Sequence, residues 1–433
     1  MASPSESAPA SEGLATALEP ALGAPVEITE LSRLTGGASR ETWSFTANGE
    51  ELILRRDPPG RPSPPRAMRR EADVMRACAR AGLRVPEVIA YDDGDLLGTT
   101  GLVMRRVPGE TIARRILREE EFAEARRVLV GQLGRFLAGL HAIDPAQLPG
   151  AETPDALGVW DKYLALDDRS RTFEQAHAWL LAHRPARSSD AVVHGDLRMG
   201  NLIVEPTGLA AVIDWEIVHV GDPLEDLAWL CLKAWRFGEP LEVGGLGTID
   251  ELVAAYEGAG GQRVDRDALH WWITAKTLTW GIGCMIQADY HLLGRVRSVD
   301  LAAVGRRSAE QEWDLIELVA PDAARAALTA PRPEALDDDA RPYGRPTARE
   351  LLDAVRELLT DKVVTGDDAA LAYEARVAAN LLATVERELA HPPVAYDGDD
   401  WSSLALSVRD KLTVASPKHL ARAGASLTEA TAE

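Results

Sequence analysis

Between residues 26 and 107 the spacing of apolar positions is mainly that of strands. Glu41–Ala47 and Glu51–Arg56 read as strands, and Asn48-Gly49 between them is a strong two-residue hairpin signal. Arg66 to Ala81 switches to helical periodicity and places Glu71, Val74, Met75 and Cys78 on one stripe. Two further strand-like runs follow, Glu87–Tyr91 and Gly101–Val107. From Pro108 to about Ala320 helical patterns dominate, over Phe122–His141, Asp222–Phe237, Asp267–Leu293 and Ser308–Val319. A short β island, Asn201–Glu205 and Leu209–Asp214 joined by Pro206-Thr207-Gly208, interrupts them. The predicted class is α+β in two lobes: a β-rich lobe over 21–107 and a helical lobe over 108–325. Their junction near Val107–Gly109 is where a cleft, a preferred ligand site, is expected.

The flanks read differently. Residues 1–20 are rich in Ala, Ser, Pro and Glu and lack the basic and apolar regions of a signal peptide, so a disordered tail is expected. Residues 326–346, rich in Pro and Asp, read as a linker. A small all-α domain is expected over 347–433. Thr347-Ala348-Arg349-Glu350 has the form of a capping box, and Val377, Leu381, Val385 and Leu389 recur at helical spacing, as do Trp401, Leu404 and Val408. Docking of a partner or a second copy is a conceivable role for this domain. The most apolar long stretch, Trp271 to Leu293, contains Lys276, Asp289 and His291; it reads as a buried helix, interruptible at Gly281 and Gly283, and not as a membrane span.

Composition narrows the function classes. A chain of 433 residues, 46% hydrophobic, supports two or three domains. A net charge of −21 disfavours nucleic acid and anionic membrane as main partners. The cysteines, Cys78, Cys231 and Cys284, are far apart, giving neither a zinc spacing nor a disulfide framework. They fit a reducing cytoplasm and read as small buried hydrophobes. No lysine precedes Lys162, so any basic role in the first lobe falls to arginine or histidine.

The chemistry concentrates in His194-Gly195-Asp196-Leu197-Arg198-Met199-Gly200-Asn201, followed by Ile213-Asp214-Trp215-Glu216. Phosphoryl transfer from ATP to a hydroxyl needs a carboxylate to orient the hydroxyl and receive its proton. It also needs oxygen ligands to hold magnesium against the phosphates. Asp196 and Asn201, five apart on a short loop, reach two neighbouring points, and the hairpin returns Asp214 opposite Asn201. An H-x-D-x-x-x-x-N loop followed by a strand ending in Asp is the logic of a kinase catalytic loop.

These segments, VVHGDLRMGNLIV and AVIDWEIVHVGDPLEDLAW, resemble the core of the aminoglycoside phosphotransferase and choline kinase family, relatives of protein kinases. The resemblance covers roughly residues 26 to 320. It implies a protein-kinase-like fold, ATP and Mg2+ as cofactors, Asp196 as the base, and Asn201 and Asp214 as magnesium ligands. It further implies that His194 positions the loop and Asp226 bonds it; Arg198 joins Asp196 and His194 as a catalytic candidate. Asp222, in Gly221-Asp222-Pro223, reads instead as a helix N-cap.

In the first lobe, Glu71 within an apolar stripe needs a basic partner. Kinases supply one from a central strand, where it also grips the phosphates. Because side chains alternate, Ile53 and Arg55 share one face of Glu51–Arg56, and an apolar contact to adenine beside a phosphate-binding cation selects Arg55 over Arg56. Leu34 to Arg40, with Gly36, Gly37 and Ser39, would be the loop over the phosphates. Val103 to Val107 would be the hinge, with Met104 lining the adenine pocket and backbone groups of Arg105 and Val107 bonding its edge.

The short path from Asp214 to the next helix lacks the long activation segment that docks peptides, which argues for a small hydroxyl compound as acceptor. Trp271, Trp272, Trp280 and Asp289 are placed to serve the acceptor or, more simply, the core. Leu54 to Gly60 resembles a branch of relatives fused to acyl-CoA dehydrogenase-like domains and points to a hydroxyacyl or other metabolic alcohol. An aminoglycoside antibiotic kinase and a nucleotide-binding pseudokinase scaffold are the alternatives.

Overall fold

The computed structural model of the protein describes residues 11–34, 40–58, 66–148, 151–296, 298–332, 348–391, 394, 396 and 398–430. Helix α1 (Ser11–Leu22) precedes strands β1 (Ile28–Leu34), β2 (Glu41–Ala47) and β3 (Glu50–Arg56). Helix α2 (Ala67–Arg80) and strands β4 (Val88–Asp92) and β5 (Gly101–Arg105) follow. The strands form one antiparallel sheet in the order β1-β2-β3-β5-β4. Asn48 and Gly49 close the β2–β3 hairpin with φ of 49° and 84°, the two left-handed residues that match the twist of the strands. All four residues of the predicted α2 stripe are buried.

One prediction fails at the start of the chain. Residues 11–20, expected within a disordered tail, belong to α1, whose Leu14 and Leu18 are fully buried against Trp43, Phe45, Leu52, Leu54 and Val103. Alternation gives the sheet two apolar faces: Ile53, Arg55 and Met104 point one way, and Leu54 with its cross-strand partners Trp43 and Val103 the other. The second face needs a cover, and α1 supplies it.

Next come α3 (Ala113–Arg118), α4 (Ala123–His141), α5 (Trp160–Leu164) and α6 (Arg171–Ala182). Short strands β6 (Ala191–Val193), β7 (Leu202–Glu205), β8 (Gly208–Val212) and β9 (His219–Gly221) follow, pairing as β6–β9 and β7–β8. Helices α7 (Leu224–Cys231), α8 (Ile249–Gly258), α9 (Arg266–Leu292), α10 (Val299–Gly305), α11 (Ser308–Val319) and α12 (Pro321–Thr329) come after. The chain closes with α13 (Ala348–Leu358), α14 (Ala369–Ala390), α15 (Trp401–Ala415) and α16 (Pro417–Ala430). Two of the expected helices differ in detail. The one predicted over Asp222–Phe237 is the shorter α7 followed by a 3-10 turn, Lys233–Trp235. Helix α9 runs unbroken through Gly281 and Gly283; a Cβ on Gly281 would lie 2.5 Å from Phe173 Cζ, so that glycine admits a packed ring and does not break the helix.

The chain divides into two compact units, Met1–Pro154 with Ala186–Leu269, and Asp155–Pro185 with His270–Glu433. The boundary expected at 326–346 is not where they part. Ala309, Trp313 and Ile316 of α11 and Ala324 and Ala327 of α12 share a core with Ala405, Val408 and Leu412 of α15 and Leu420 and Ala423 of α16. Fully buried Arg409 donates from Nη1 to the carbonyls of Ala327 (2.9 Å) and Ala330 (3.0 Å), the end of α12. The final helices are thus packed into the second unit and do not stand apart from it. In α14 the predicted spacing finds the helix but not its inner face: Ala372, Ala375 and Thr384 are buried, while Val385 and Leu389 are exposed. Thr347, the expected cap of α13, lies outside the described residues.

Because α1 seals an apolar sheet face, Leu18→Ala should cost about 2–5 kcal/mol, the usual range for a fully buried leucine. Denaturant unfolding checks this; a loss within error would show α1 to be dispensable.

Candidate active site

The site is built in the first unit on the loop between β6 and β7. Its anchor is Asp226 of α7, fully buried, which accepts hydrogen bonds from the backbone N–H groups of His194 (2.8 Å) and Gly195 (2.9 Å). His141 of α4 approaches the same carboxylate through Nε2 at 3.3 Å and meets Tyr256 Oη at 3.0 Å through Nδ1. Burial alone would raise the Asp226 pKa, but the bond and charge of His141, with His194 and the Gly195 N–H, hold it below its ordinary value. Gly195 has φ of 83°, and a Cβ there would lie 3.0 Å from the Ile217 carbonyl, so glycine is required at the turn.

His194 is fully buried beside the anchor. Its Nδ1 accepts the backbone N–H of Asp196 (3.2 Å), which leaves Nε2 to carry the proton and donate to the Ile213 carbonyl (3.1 Å). One neutral imidazole therefore ties the loop to the strand end preceding Asp214. Burial lowers its pKa, against the opposing pull of Asp226 and Asp196.

Asp196 is held on both carboxylate oxygens. Asn201 donates from Nδ2 to Oδ2 (2.7 Å) and to the Asp196 carbonyl (2.8 Å), while the Trp229 indole donates to Oδ1 (2.8 Å). Arg198 adds its Nε at 3.1 Å from Oδ1. Asn201 thus spends its amide nitrogen on Asp196, keeping its side-chain oxygen as the atom with ligand capacity. The Asn201 carbonyl accepts from Ile213 N–H at 3.0 Å, which brings Asp214 back beside the loop. Asp214 has φ of 69°, a left-handed conformation that aspartate tolerates better than most residues.

From the sheet, Arg55 reaches Asp214 Oδ1 with Nη2 at 2.8 Å, Glu71 with Nη1 at 3.6 Å and Glu216 at 3.9 Å. Burial lowers the Arg55 pKa, and these three acids more than offset it. The expected Arg55–Glu71 pair exists, but it is not the tightest contact of Glu71. Arg40, unforeseen in the sequence, hydrogen-bonds Glu71 Oε1 through Nη1 and lies 3.4 Å from Asp57 through Nε. Burial raises the Glu71 pKa against the pull of Arg55 and Arg40. Arg56 faces away, buried against Glu41 (2.7 Å) and stacked on Trp43.

Ile53 and Met104 are cross-strand partners on the Arg55 side of the sheet. Arg105 gives its N–H to the Glu87 carbonyl (2.8 Å), so its own carbonyl is what a hinge contact can use. The chain past Val107 is pinned by reciprocal bonds of Glu110 and Val204, both 2.9 Å. Gly36, Gly37 and Ser39 lie outside the described residues. Asp222 accepts from Leu224 N–H at 3.0 Å, as a cap does, and from Ser188 Oγ at 2.7 Å. Trp271 and Trp272 are buried in the second unit, Trp271 donating to the Leu180 carbonyl at 2.9 Å, so they serve the core. Burial pushes the thiols of Cys78, Cys231 and Cys284 up to about 12, which keeps all three protonated at neutral pH. Among the described residues no helix is long and apolar enough to cross a membrane.

Of the functional residues missed in the sequence, Arg40 had a signal: it is a cation next to a glycine pair in a lobe without lysine. Trp229 had none, because a tryptophan in Leu-Ala-Trp-Leu reads as core.

A five-stranded antiparallel sheet carrying Arg55, a loop carrying Asp196 and Asn201, and a hairpin returning Asp214 together define a phosphotransferase of protein-kinase-like fold. The chain belongs to the phosphotransferase enzyme family, whose sequence profile matches residues 30–272. Members of that family are kinases of small molecules. The same fold occurs in a crystal structure from Ralstonia eutropha provisionally named an aminoglycoside phosphotransferase. The TM-score is 0.58 at 20% identity, over 71% of this chain and 98% of that one.

Among curated relatives, acyl-CoA dehydrogenase family member 10 of Mus musculus is 31% identical over 216 residues, 47% of this chain and 20% of that one. Family member 11 of Homo sapiens is 28% identical over 257 residues, 54% of this chain and 33% of that one. Viomycin phosphotransferase of Streptomyces vinaceus is 32% identical over 176 residues, 36% of this chain and 59% of that one. The chain therefore spans a fifth to three-fifths of the length of these relatives.

His194 gives a pH prediction. Its folded pKa lies below the unfolded value of about 6.5, so the stability it contributes is complete above that pH and is lost as pH falls towards the folded pKa. The wild-type unfolding free energy from urea titration should therefore drop between pH 7 and 5, by up to about 1.4 kcal/mol per pH unit for this one proton. The drop should be shallower in His194→Gln; equal slopes would remove His194 as its source.

Proposed function

We propose that this protein transfers the γ-phosphate of ATP, as its magnesium complex, to a hydroxyl group of a small molecule. The observation that carries the reading is the double restraint on Asp196. Asn201 on one oxygen and Trp229 on the other fix the carboxylate at the loop, while Arg55 holds Asp214 on the hairpin. Held so, Asp196 orients the acceptor hydroxyl and receives its proton. In a loose transition state that proton leaves late, and the carboxylate acts chiefly by position.

Asn201 and Asp214 fit magnesium by donor chemistry: an amide oxygen, its nitrogen already committed to Asp196, and a carboxylate, both hard oxygen ligands. Among the described residues no group of three or more His, Cys, Asp or Glu side chains could hold a metal. Two protein ligands with the phosphates completing the shell is the habit of magnesium. The ion would neutralise phosphate oxygens as the group transfers. Arg55, between the acids of the hairpin and of α2, is placed to grip the phosphates, and Ile53 and Met104 to border the adenine. Arg40 makes the tighter contact to Glu71, so Arg55 is not the sole cation balancing that buried acid while it reaches Asp214.

For the acceptor, similarity to proteins named for acyl-CoA dehydrogenases supports a hydroxyacyl or other metabolic alcohol. Similarity to viomycin phosphotransferase favours an antibiotic as the second reading.

Asp196→Asn keeps shape and hydrogen bonding but removes the charge. ATP and magnesium should still bind by calorimetry, while turnover falls by roughly 10²–10⁴-fold. Near-wild-type turnover would remove Asp196 as the base. Asp214→Ala should abolish magnesium-dependent nucleotide binding with the fold intact by circular dichroism; undiminished binding would refute the metal assignment.

Arg55→Ala should weaken ATP affinity far more than Arg56→Ala, whose cost should appear as lost thermal stability instead. The reverse pattern would place the phosphates on the other face of the sheet.

A further inference from the structure

Asp196 has one cation beside it, Arg198, whose outer edge the transfer reaction described above leaves unused. Arg198 touches the carboxylate through Nε alone, and its guanidinium lies over the Trp235 ring, 5.0 Å from the centroid. Among the described residues its two terminal nitrogens have no protein hydrogen-bond partner, and the side chain is 28% exposed. Space for them is kept by Gly200, where a Cβ would lie 2.5 Å from Nη1. This partly exposed cationic edge stands out on a chain with net charge −21.

Neutralising Asp196 needs one contact, which Nε supplies. The remaining edge of Arg198 has the planar two-nitrogen geometry that pairs with a carboxylate or phosphate. Two sources of such an anion exist, the nucleotide's transferable phosphate and a charged group on the acceptor. The placement favours the acceptor. Asn201, the metal-side residue, holds Oδ2; Arg198 Nε lies nearer Oδ1 (3.1 Å) than Oδ2 (3.3 Å), Trp229 also holds Oδ1, and Trp235, under Arg198, packs 5.7 Å from Trp229. We infer that the outer edge of Arg198 is a subsite for an anionic group of the acceptor, so that the substrate class is a hydroxy compound bearing a carboxylate or phosphate. This rests on the phosphotransfer reading above. A polycationic acceptor would meet like charge there, a penalty that acts as selection against it.

The test measures ATP consumption by the full chain with hydroxy carboxylates of three to eight carbons, each beside its primary amide and its amino analogue. Affinity for a non-hydrolysable ATP analogue is measured separately by calorimetry. Carboxylates should exceed their amides in kcat/KM by roughly tenfold or more, the worth of one charge-assisted hydrogen bond. Arg198→Gln should erase that preference and raise the acceptor KM while nucleotide affinity holds, and Arg198→Lys should restore part of it. Equal or better use of the amide or amine overturns the subsite. So does loss of nucleotide affinity in Arg198→Gln with the preference intact, which would assign the guanidinium to the nucleotide phosphate. If no compound turns over, carboxylate titrations into the analogue-bound protein decide, and binding no tighter than that of the amides overturns it. Failure of wild type to bind the analogue would instead sink the phosphotransfer reading, and the subsite with it.

Discussion

A carboxylate shut away from water is tolerated only where the protein replaces every contact that water gave it. Asp226 meets that condition with two backbone N–H groups and an imidazole. In doing so it fixes the one stretch of irregular chain on which the chemistry stands. The loop at His194 and Gly195 cannot rotate without leaving a buried charge uncompensated. Asp196 and Asn201 inherit their positions from that restraint, and His194 passes it across to the end of the β7–β8 hairpin.

The other half of the site depends on arginine's shape. A lysine at position 55 would offer one compact charge, whereas the guanidinium of Arg55 spans Asp214 and Glu71 with different nitrogens. That reach lets the sheet and the catalytic hairpin be joined by one side chain. It also requires a second cation for Glu71, and Arg40 fills that place. The two arginines with Glu71, Asp57 and Asp214 form one continuous charge network in a lobe that has no lysine.

Much of this was legible in the sequence, and the reasons differ from part to part. The placing of Asp196, Asn201 and Asp214 on one loop and hairpin was readable because fixed spacing, turn residues and strand length leave little freedom between them. Arg55 could be told from Arg56 because alternation puts it on the face of Ile53, where an apolar residue and a cation were required together, and that face is the one that meets Glu71. The helix at residues 11–22 was not readable, because a window rich in Ala, Pro and Glu has no strong apolar period, and Leu14 and Leu18 matter only once a sheet face needs cover. Arg40 and Trp229 were missed because their roles come from contacts far apart along the chain. The packing of the last helices was missed for the same cause. A Pro- and Asp-rich stretch looks like a boundary, yet the residues on either side of it share a core.

That shared core bears on how such a chain can change over generations. The family profile ends at residue 272, and the apolar flank of α11 and α12 lies beyond it, roofed by α15 and α16. Arg409 occupies the last carbonyls of α12 as a plug. A gene truncated after residue 330 would leave Trp313 and Ile316 without their roof and those carbonyls without their plug, a sticky flank on the remaining protein. The terminal helices are therefore not cargo that recombination can detach and pass on alone. Any lineage that discards them has to repaint the surface they leave behind.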